Sequence, residues 1–334
     1  MEAILIGIDL GGTSIQGAAS RPDGTILNRA RIPTRSALGP ETVLDDLVQL
    51  VKKLAGKCPL RAVGLGVPGL LDLEQGICLF SGNLGWENVP VVAKLSAAIG
   101  APVFLDNDVR VAALGELAQG EARGCSNFIY LAVGTGIGSG IFIAGQLLRG
   151  PHWSAGEVGH MVLDPLGPDC NCGSRGCLEA LASATAIARE GRAAAAADAD
   201  SLLRQLAKTP DAIDAALVFE AAACGDQGAA QVVNTAMTWL GIGVANLVNI
   251  FNPELVVIGG GVSLAGEKLL APVGAQISRF AMPVQKKTVR LATGPALPAP
   301  SNWPGKTKEL IDNAHQSCQT FDSCPRPGAG AGRL

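Results

Sequence analysis

Apolar residues recur along this chain with two alternating periods, one of strands and one of helices. Residues 4–10 form a short, almost wholly apolar run, and a second run at 15–20 resumes after Asp9-Leu10-Gly11-Gly12-Thr13. Two such runs around a glycine turn predict two strands, and Arg21-Pro22-Asp23-Gly24 is turn chemistry that extends them into a hairpin or meander. Between residues 41 and 54 the apolar positions Val43, Leu44, Leu47, Val48, Val51 and Leu54 keep the spacing of one helix face. Residues 62–67 and 102–105 read as strands, the first stopped by Pro68-Gly69, and residues 91–99 and 109–119 read as helices.

A second round begins at 128–133, a strand, followed by a glycine-rich turn at 134–140 and a returning strand at 141–143. The repeated order of strand, glycine turn and strand predicts two related α/β halves. Residues 180–235 are Ala-rich and helical in composition with a break at Pro210-Asp211, and 232–250 predicts a long helix. A strand at 255–258 then meets Gly259-Gly260-Gly261 ahead of a helix at 266–280. Glycine turns at strand ends in both halves are what a nucleotide site between two domains requires. From Gly294 the composition turns Pro/Gly-rich and linker-like, with a helix pattern only at 306–318, so 294–334 reads as a poorly ordered tail.

Composition narrows the class. The 334 residues are 48% hydrophobic and 16% charged, which excludes a disordered chain and suits two domains around a cleft. Lys and Arg number 26 against 29 Asp and Glu, with no basic run, so a nucleic-acid partner is not expected. The most apolar stretch, 241–261, is broken by Asn246, Asn249, Asn252, Pro253 and Glu254, which argues against a membrane span. The chain opens directly on a strand-like run with no leader pattern, and a cytoplasmic location is expected. Nine cysteines cannot all pair internally, and three crowd into Cys170-x-Cys172-x4-Cys177, a metal-like spacing.

Four constellations carry chemistry. Asp9-Leu10-Gly11-Gly12-Thr13 puts a carboxylate and donor-rich glycines at a strand end, either a plain hairpin turn or a phosphate cradle whose Asp holds Mg2+ or its waters. Gly134-Thr135-Gly136-Ile137-Gly138-Ser139-Gly140 is a second such turn; it is no P-loop, and the strand after it argues against a dinucleotide fingerprint. Asp106-Asn107-Asp108 leaves a strand just before a helix, where Asp or Asn serves as an N-cap or faces a substrate hydroxyl. His160, ten residues ahead of the cysteine cluster, completes a set of one histidine and three cysteines sufficient for a structural zinc ion.

Together these runs resemble the ROK family of bacterial sugar kinases, within the actin/hexokinase superfamily. The likeness covers about residues 7–292 and is most specific over 133–160, where Gly136-Ile137-Gly138-Ser139-Gly140-Ile141, Gly150 and Gly156-Glu157-Val158-Gly159-His160 reproduce the family spacing. The resemblance implies a two-domain actin-like (ribonuclease H-like) α/β fold, with residues 1–107 as one domain and 108–293 as a larger one. By the same resemblance Asp108 is the catalytic base, and Gly69, Asn83, Asn107, Asp108, Glu157, His160 and Glu179 meet the sugar. Asp9, Gly11, Gly12, Thr13, Thr135 and Gly136 match the phosphate segments, and Gly259, Gly260 and Gly261 the segment beside the adenosine. His160, Cys170, Cys172 and Cys177 match a structural Zn2+ site.

The implied activity is phosphorylation of a hexose by ATP and Mg2+, with glucose to glucose 6-phosphate first. The alternatives are an N-acetylmannosamine or N-acetylglucosamine kinase, or a sugar binder of the same fold without catalysis. Homodimers are common in the family. Its repressors carry a helix-turn-helix domain ahead of the first strand, where this chain opens, so an enzyme is expected. The family's closing segment, a glycine-rich turn and an Ala-rich helix, has no match after residue 293; a reading-frame change in the coding sequence would produce such a replacement.

Overall fold

The computed structural model describes residues 2–294, and the tail expectations for 295–334, including the helix at 306–318, lie outside the described residues. The chain opens with β1 (Ile4–Leu10), β2 (Ser14–Ser20) and β3 (Ile26–Pro33), the expected meander. Helix α1 (Pro40–Ala55) turns Val43, Leu44, Leu47, Leu50, Val51 and Leu54 inward, as their spacing dictates, with Pro40 at its first turn. Strand β4 (Leu60–Val67) is followed by three short strands, β5 (Leu70–Asp72), β6 (Ile77–Ser81) and β7 (Trp86–Val89). Helix α2 (Val91–Ile99) stops at a left-handed Gly100, and β8 (Val103–Asn107) runs directly into α3 (Asp108–Gln119).

The second half begins with β9 (Phe128–Val133), β10 (Ile137–Ile143) and β11 (Gln146–Leu147). Strand β10 starts four residues earlier than the glycine content suggests. Gly138 and Gly140 belong to the strand because α3 lies on them: a side chain at 138 would meet Val109 Cγ2 at 2.8 Å, and one at 140 would run into Ala113. Helices α4 (Leu178–Ala182), α5 (Ala184–Ala197), α6 (Leu202–Leu206) and α7 (Ala215–Ala223) follow, with a single 3-10 turn at Pro210–Ala212. Helix α8 (Gln227–Phe251) begins five residues before its apolar periodicity because Asp226 caps it, its carboxylate accepting from the Ala229 N–H at 2.8 Å. Strand β12 (Leu255–Gly259), α9 (Glu267–Phe280), α10 (Gln285–Thr288) and β13 (Arg290–Thr293) complete the described chain.

The two halves carry one topology. The first sheet has the order β3-β2-β1-β4-β8 and the second β11-β10-β9-β12-β13. In each, the first three strands are antiparallel neighbours and the last two join in parallel. The expected actin-like duplication is therefore present strand for strand, and β5-β6-β7 forms a small separate sheet. The larger core gathers β9, β10 and β12 against α5, α7, α8 and α9, and a second core fills the space between β1, β4 and α1. No helix among the described residues is long and apolar enough to cross a membrane.

Candidate active site

The two glycine turns occupy equivalent places, each closing the first hairpin of its sheet. At the first, Asp9 is the penultimate residue of β1 and the Gly11 N–H donates to Ser14 O at 3.0 Å across Gly11-Gly12-Thr13. Gly12 faces Asn83: a Cβ there would lie 3.3 Å from the Asn83 carbonyl, so the expected sugar loop already touches the phosphate turn. At the second, the Gly134 N–H donates to Gly136 O at 2.9 Å, and the start of α5 braces the turn through Thr185 Oγ1 to Thr135 O at 2.8 Å. Glu179 Oε2 accepts the Ile137 N–H at 2.8 Å and fills the space where a side chain on Gly136 would go. A residue expected to meet sugar is thus tied to the phosphate turn.

Asp106-Asn107-Asp108 divides its labour. Asn107 caps α3, its Oδ1 accepting from Val109 at 3.0 Å and Arg110 at 3.4 Å, while its Nδ2 reaches Gly69 O at 3.4 Å. Gly69 must be glycine on packing grounds alone, since its φ is +118° and a side chain would run into Phe80 O. Asp106 is buried, 8% exposed, and lies between Arg149 at 2.8 Å and Arg110 at 3.6 Å. The composition of the motif gives no hint of Arg149, distant in sequence; only the Asp106–Arg110 spacing of four signals a pair. Arg110 also donates to Ala155 O at 3.0 Å, holding the segment that presents Glu157.

Asp108 remains half-buried at the first turn of α3, with Oδ1 accepting the Val109 N–H at 2.9 Å. Desolvation raises its carboxyl to about 6, helped by the charge of Glu157 and restrained by the Val109 N–H. Asp9 is pushed up to about 7, first by desolvation and then by the charge of Asp108. The structure therefore gathers Asp9, Asp108 and Glu157 from three separate segments into one acidic centre. Carboxylates that resist ionising together form a place where a divalent cation is favoured. Asp9 and Asp108 fit the expected Mg2+ on that ground.

Glu157 precedes and His160 ends a 3-10 turn, Val158–His160, pressed on β10. Ser139 Oγ donates to Gly156 O at 2.6 Å, and Gly159 leaves no room for a side chain above Ile137 O. Beyond it His160 Nδ1 lies 3.7 Å from Cys170 Sγ, and Cys172 Sγ lies 3.7 Å from Cys177 Sγ. All four donor atoms fall within 4.8 Å of one another. A tetrahedron with Zn–S bonds of about 2.3 Å has edges of about 3.8 Å, so these residues fit Zn2+. Desolvation and the neighbouring sulfurs push the Cys177 thiol up, while the Ser174 N–H holds the exposed Cys172 thiol below its ordinary value.

The third glycine segment is partly dictated by packing. Gly259 lies against the Tyr130 hydroxyl, and Gly260, at φ +84°, crosses the end of β9 with a would-be Cβ 2.5 Å from Val133 O. Gly261 faces open space, and Ser263 Oγ fastens the segment by donating to Gly260 O at 2.7 Å. The segment expected beside adenosine thereby borders the second phosphate turn.

The chain belongs to the ROK family, whose model matches residues 5–295. It is 40% identical over 292 residues to a glucokinase of Thermotoga maritima, covering 87% of this chain and 92% of that one. A glucokinase of Halalkalibacterium halodurans is 38% identical over 284 residues, 83% of this chain and 86% of the relative. Among solved structures, a ROK family glucokinase from Streptomyces griseus in complex with glucose and AMPPNP superposes with a TM-score of 0.79 at 31% identity, over 92% of this chain and 99% of that one.

Proposed function

We propose that the protein is a sugar kinase that transfers the γ-phosphoryl group of ATP to the 6-hydroxyl of glucose, in a cleft between residues 1–107 and 108–293. The observation that carries the reading is the acidic centre at the N-terminus of α3: Asp108 faces the charges of Asp9 and Glu157, beside two glycine turns in equivalent places. Relatives named glucokinase over most of their length support the choice of sugar, and the ROK glucokinase solved with glucose and AMPPNP supports the choice of donor.

The chemistry follows from these residues. Asp108 accepts the proton of the sugar hydroxyl as its oxygen bonds to the γ-phosphorus and the bond to the ADP oxygen breaks. The transition state is loose, so a carboxyl near 6 suffices and positioning dominates the rate. Asn107, Glu157, His160, Glu179, Gly69 and Asn83 orient the sugar, and the Gly11–Thr13 and Thr135–Gly136 turns offer N–H groups to the phosphates. Asp9 would hold Mg2+, whose charge neutralises the phosphates. His160, Cys170, Cys172 and Cys177 would hold Zn2+, fixing the loop that carries the sugar ligands. The free cysteines of the described residues agree with a cytoplasmic setting.

The test is ADP release with magnesium-ATP across glucose, mannose, fructose, N-acetylglucosamine and N-acetylmannosamine. Glucose is expected to give the highest kcat/KM, and Asp108→Asn to cut kcat by at least a thousandfold while glucose still binds. An N-acetylhexosamine preferred over glucose overturns the substrate; silence with every sugar in folded, zinc-loaded protein overturns the kinase.

A further inference from the structure

We propose that Thr34 is a positioning residue for the first phosphate turn, an inference that rests on the kinase reading of that turn. Thr34 follows β3 and is half-buried. Its Oγ1 donates to Gly11 O at 2.7 Å and its N–H donates to Thr13 O at 3.0 Å. One residue, far along the chain, thus grips the carbonyls on both sides of Gly12.

The consequence comes from peptide geometry. The C=O and N–H of one trans peptide unit point in opposite directions. Holding the Gly11 carbonyl therefore sets where the Gly12 N–H points, and holding the Thr13 carbonyl sets the Ser14 N–H. Two adjacent glycines would otherwise sample many orientations, because neither has a Cβ to restrict it. Apart from these bonds, the turn's own closure is the Gly11 N–H to Ser14 O contact. Donors aimed in advance bind an anion without an ordering cost at the moment of binding.

The clamp is itself anchored. The next residue, Arg35, makes a two-pronged pair with Asp46 of α1, Nε at 2.9 Å and Nη2 at 2.6 Å. Asn83 closes over Gly12 from another segment. The turn is held between β3 and the expected sugar loop, and only the Thr34 hydroxyl among these holds depends on a side chain at position 34.

The test compares Thr34→Val, Thr34→Ala and Thr34→Ser with the wild-type protein, reading magnesium-ATP affinity by calorimetry, glucose affinity without nucleotide, kcat, KM for ATP and the melting midpoint. Loss of one such hydrogen bond should weaken magnesium-ATP binding and raise KM for ATP about fivefold in the Val and Ala variants. Glucose affinity should stay within twofold, and Thr34→Ser should restore ATP binding to within twofold. Should Thr34→Val fail to fold, Thr34→Ala carries the same comparison. Unchanged ATP binding in a hydroxyl-free variant overturns the assignment, as does a Ser variant as impaired as Val, or a parallel loss of glucose affinity. Wild-type protein that turns over sugar while the Val variant is unaffected removes only Thr34's role. Wild-type protein that binds no magnesium-ATP overturns this inference and the kinase reading together.

Discussion

Asp9 and Asp108 share a desolvation penalty. Both carboxyls are raised, to about 7 and about 6, chiefly by desolvation. Above the ordinary carboxylate value of 3.8, the native state keeps protons that the unfolded chain has released. Their contribution favours folding at low pH, is fully present only below that ordinary value, and is lost progressively as pH rises toward 6 for Asp108 and 7 for Asp9. Asp9→Asn removes the later-titrating group, so without Mg2+ it should raise the melting midpoint at pH 8 by about 2–4 °C, the response to roughly 1 kcal/mol. The gain should shrink as pH falls and vanish only near about pH 3, below the ordinary carboxylate value, where Asp9 is protonated in the folded and the unfolded chain alike; an equal gain at pH 8 and at about pH 3 would show that the charge is not the cause. Activity moves the other way with pH. The base must be ionised, so kcat/KM should climb as pH rises through about 6, and Glu157→Gln should shift that limb to lower pH by removing a like charge.

At the scale of elements, the proposed zinc site would account for how a stretch with almost no regular structure presents the proposed sugar ligands. Between the turn at Val158–His160 and α4, the chain is tied by isolated bridges, Val162 with Cys177 and Asp169 with Arg175. Turn hydrogen bonds such as Leu163 N–H to Gly176 O at 2.9 Å and Cys170 N–H to Ser174 O at 2.8 Å hold it further, and a bound Zn2+ would add to that stiffness. Cys172 is the exposed member of the set, so Cys172→Ser perturbs little besides the ion. Its expected outcome is zinc content near zero by metal analysis, a lower melting midpoint, and KM for glucose raised about tenfold with a smaller change in KM for ATP. A zinc content equal to wild type would reject the ligand set. This loop was legible in the sequence because ligand chemistry fixes residue type and spacing together. The strands β1, β4, β9 and β12 were legible for a related reason: both faces are covered, so apolar runs persist. The small sheet β5-β6-β7 was not, since β6 exposes Leu79 and Phe80 while burying Ser81, which inverts the usual alternation. In β10 the glycines suggested a turn because the helix α3 that requires their small size is far off in sequence. Of the acidic centre, each carboxylate could be named from its motif, but the mutual repulsion that joins them exists only once three segments converge.

At the scale of the whole molecule, the duplicated sheets put α3 at the junction, and the ion network beneath it joins the first sheet to the second. The N-terminus of α3 rests on β4, where a Cβ on Gly66 would stand 3.2 Å from Asp108 Cα, and its body lies on β10 of the other sheet. Asp106 is the penultimate residue of β8 in the first sheet, yet its strongest partner, Arg149, follows β11 of the second. The Asp106–Arg149 pair is shielded, with the side chains 10% and 19% exposed, so water screens it weakly. Arg149→Met keeps much of the stem's packing and removes the charge, leaving Asp106 with Arg110 alone at 3.6 Å. Breaking a fully buried pair costs about 3–5 kcal/mol; with Arg110 still present, a loss of about 2 kcal/mol by denaturant titration is expected. The network also predicts where function suffers. Arg110 would turn toward the abandoned carboxylate, loosening its bond to Ala155 O and with it the segment that carries Glu157. KM for the sugar should therefore rise several-fold more than KM for ATP, since the proposed phosphate turns are braced elsewhere, by Thr34 and α5. Equal effects on both substrates would mean that the pair merely holds the two sheets together, and that Glu157 takes its position from β10 alone.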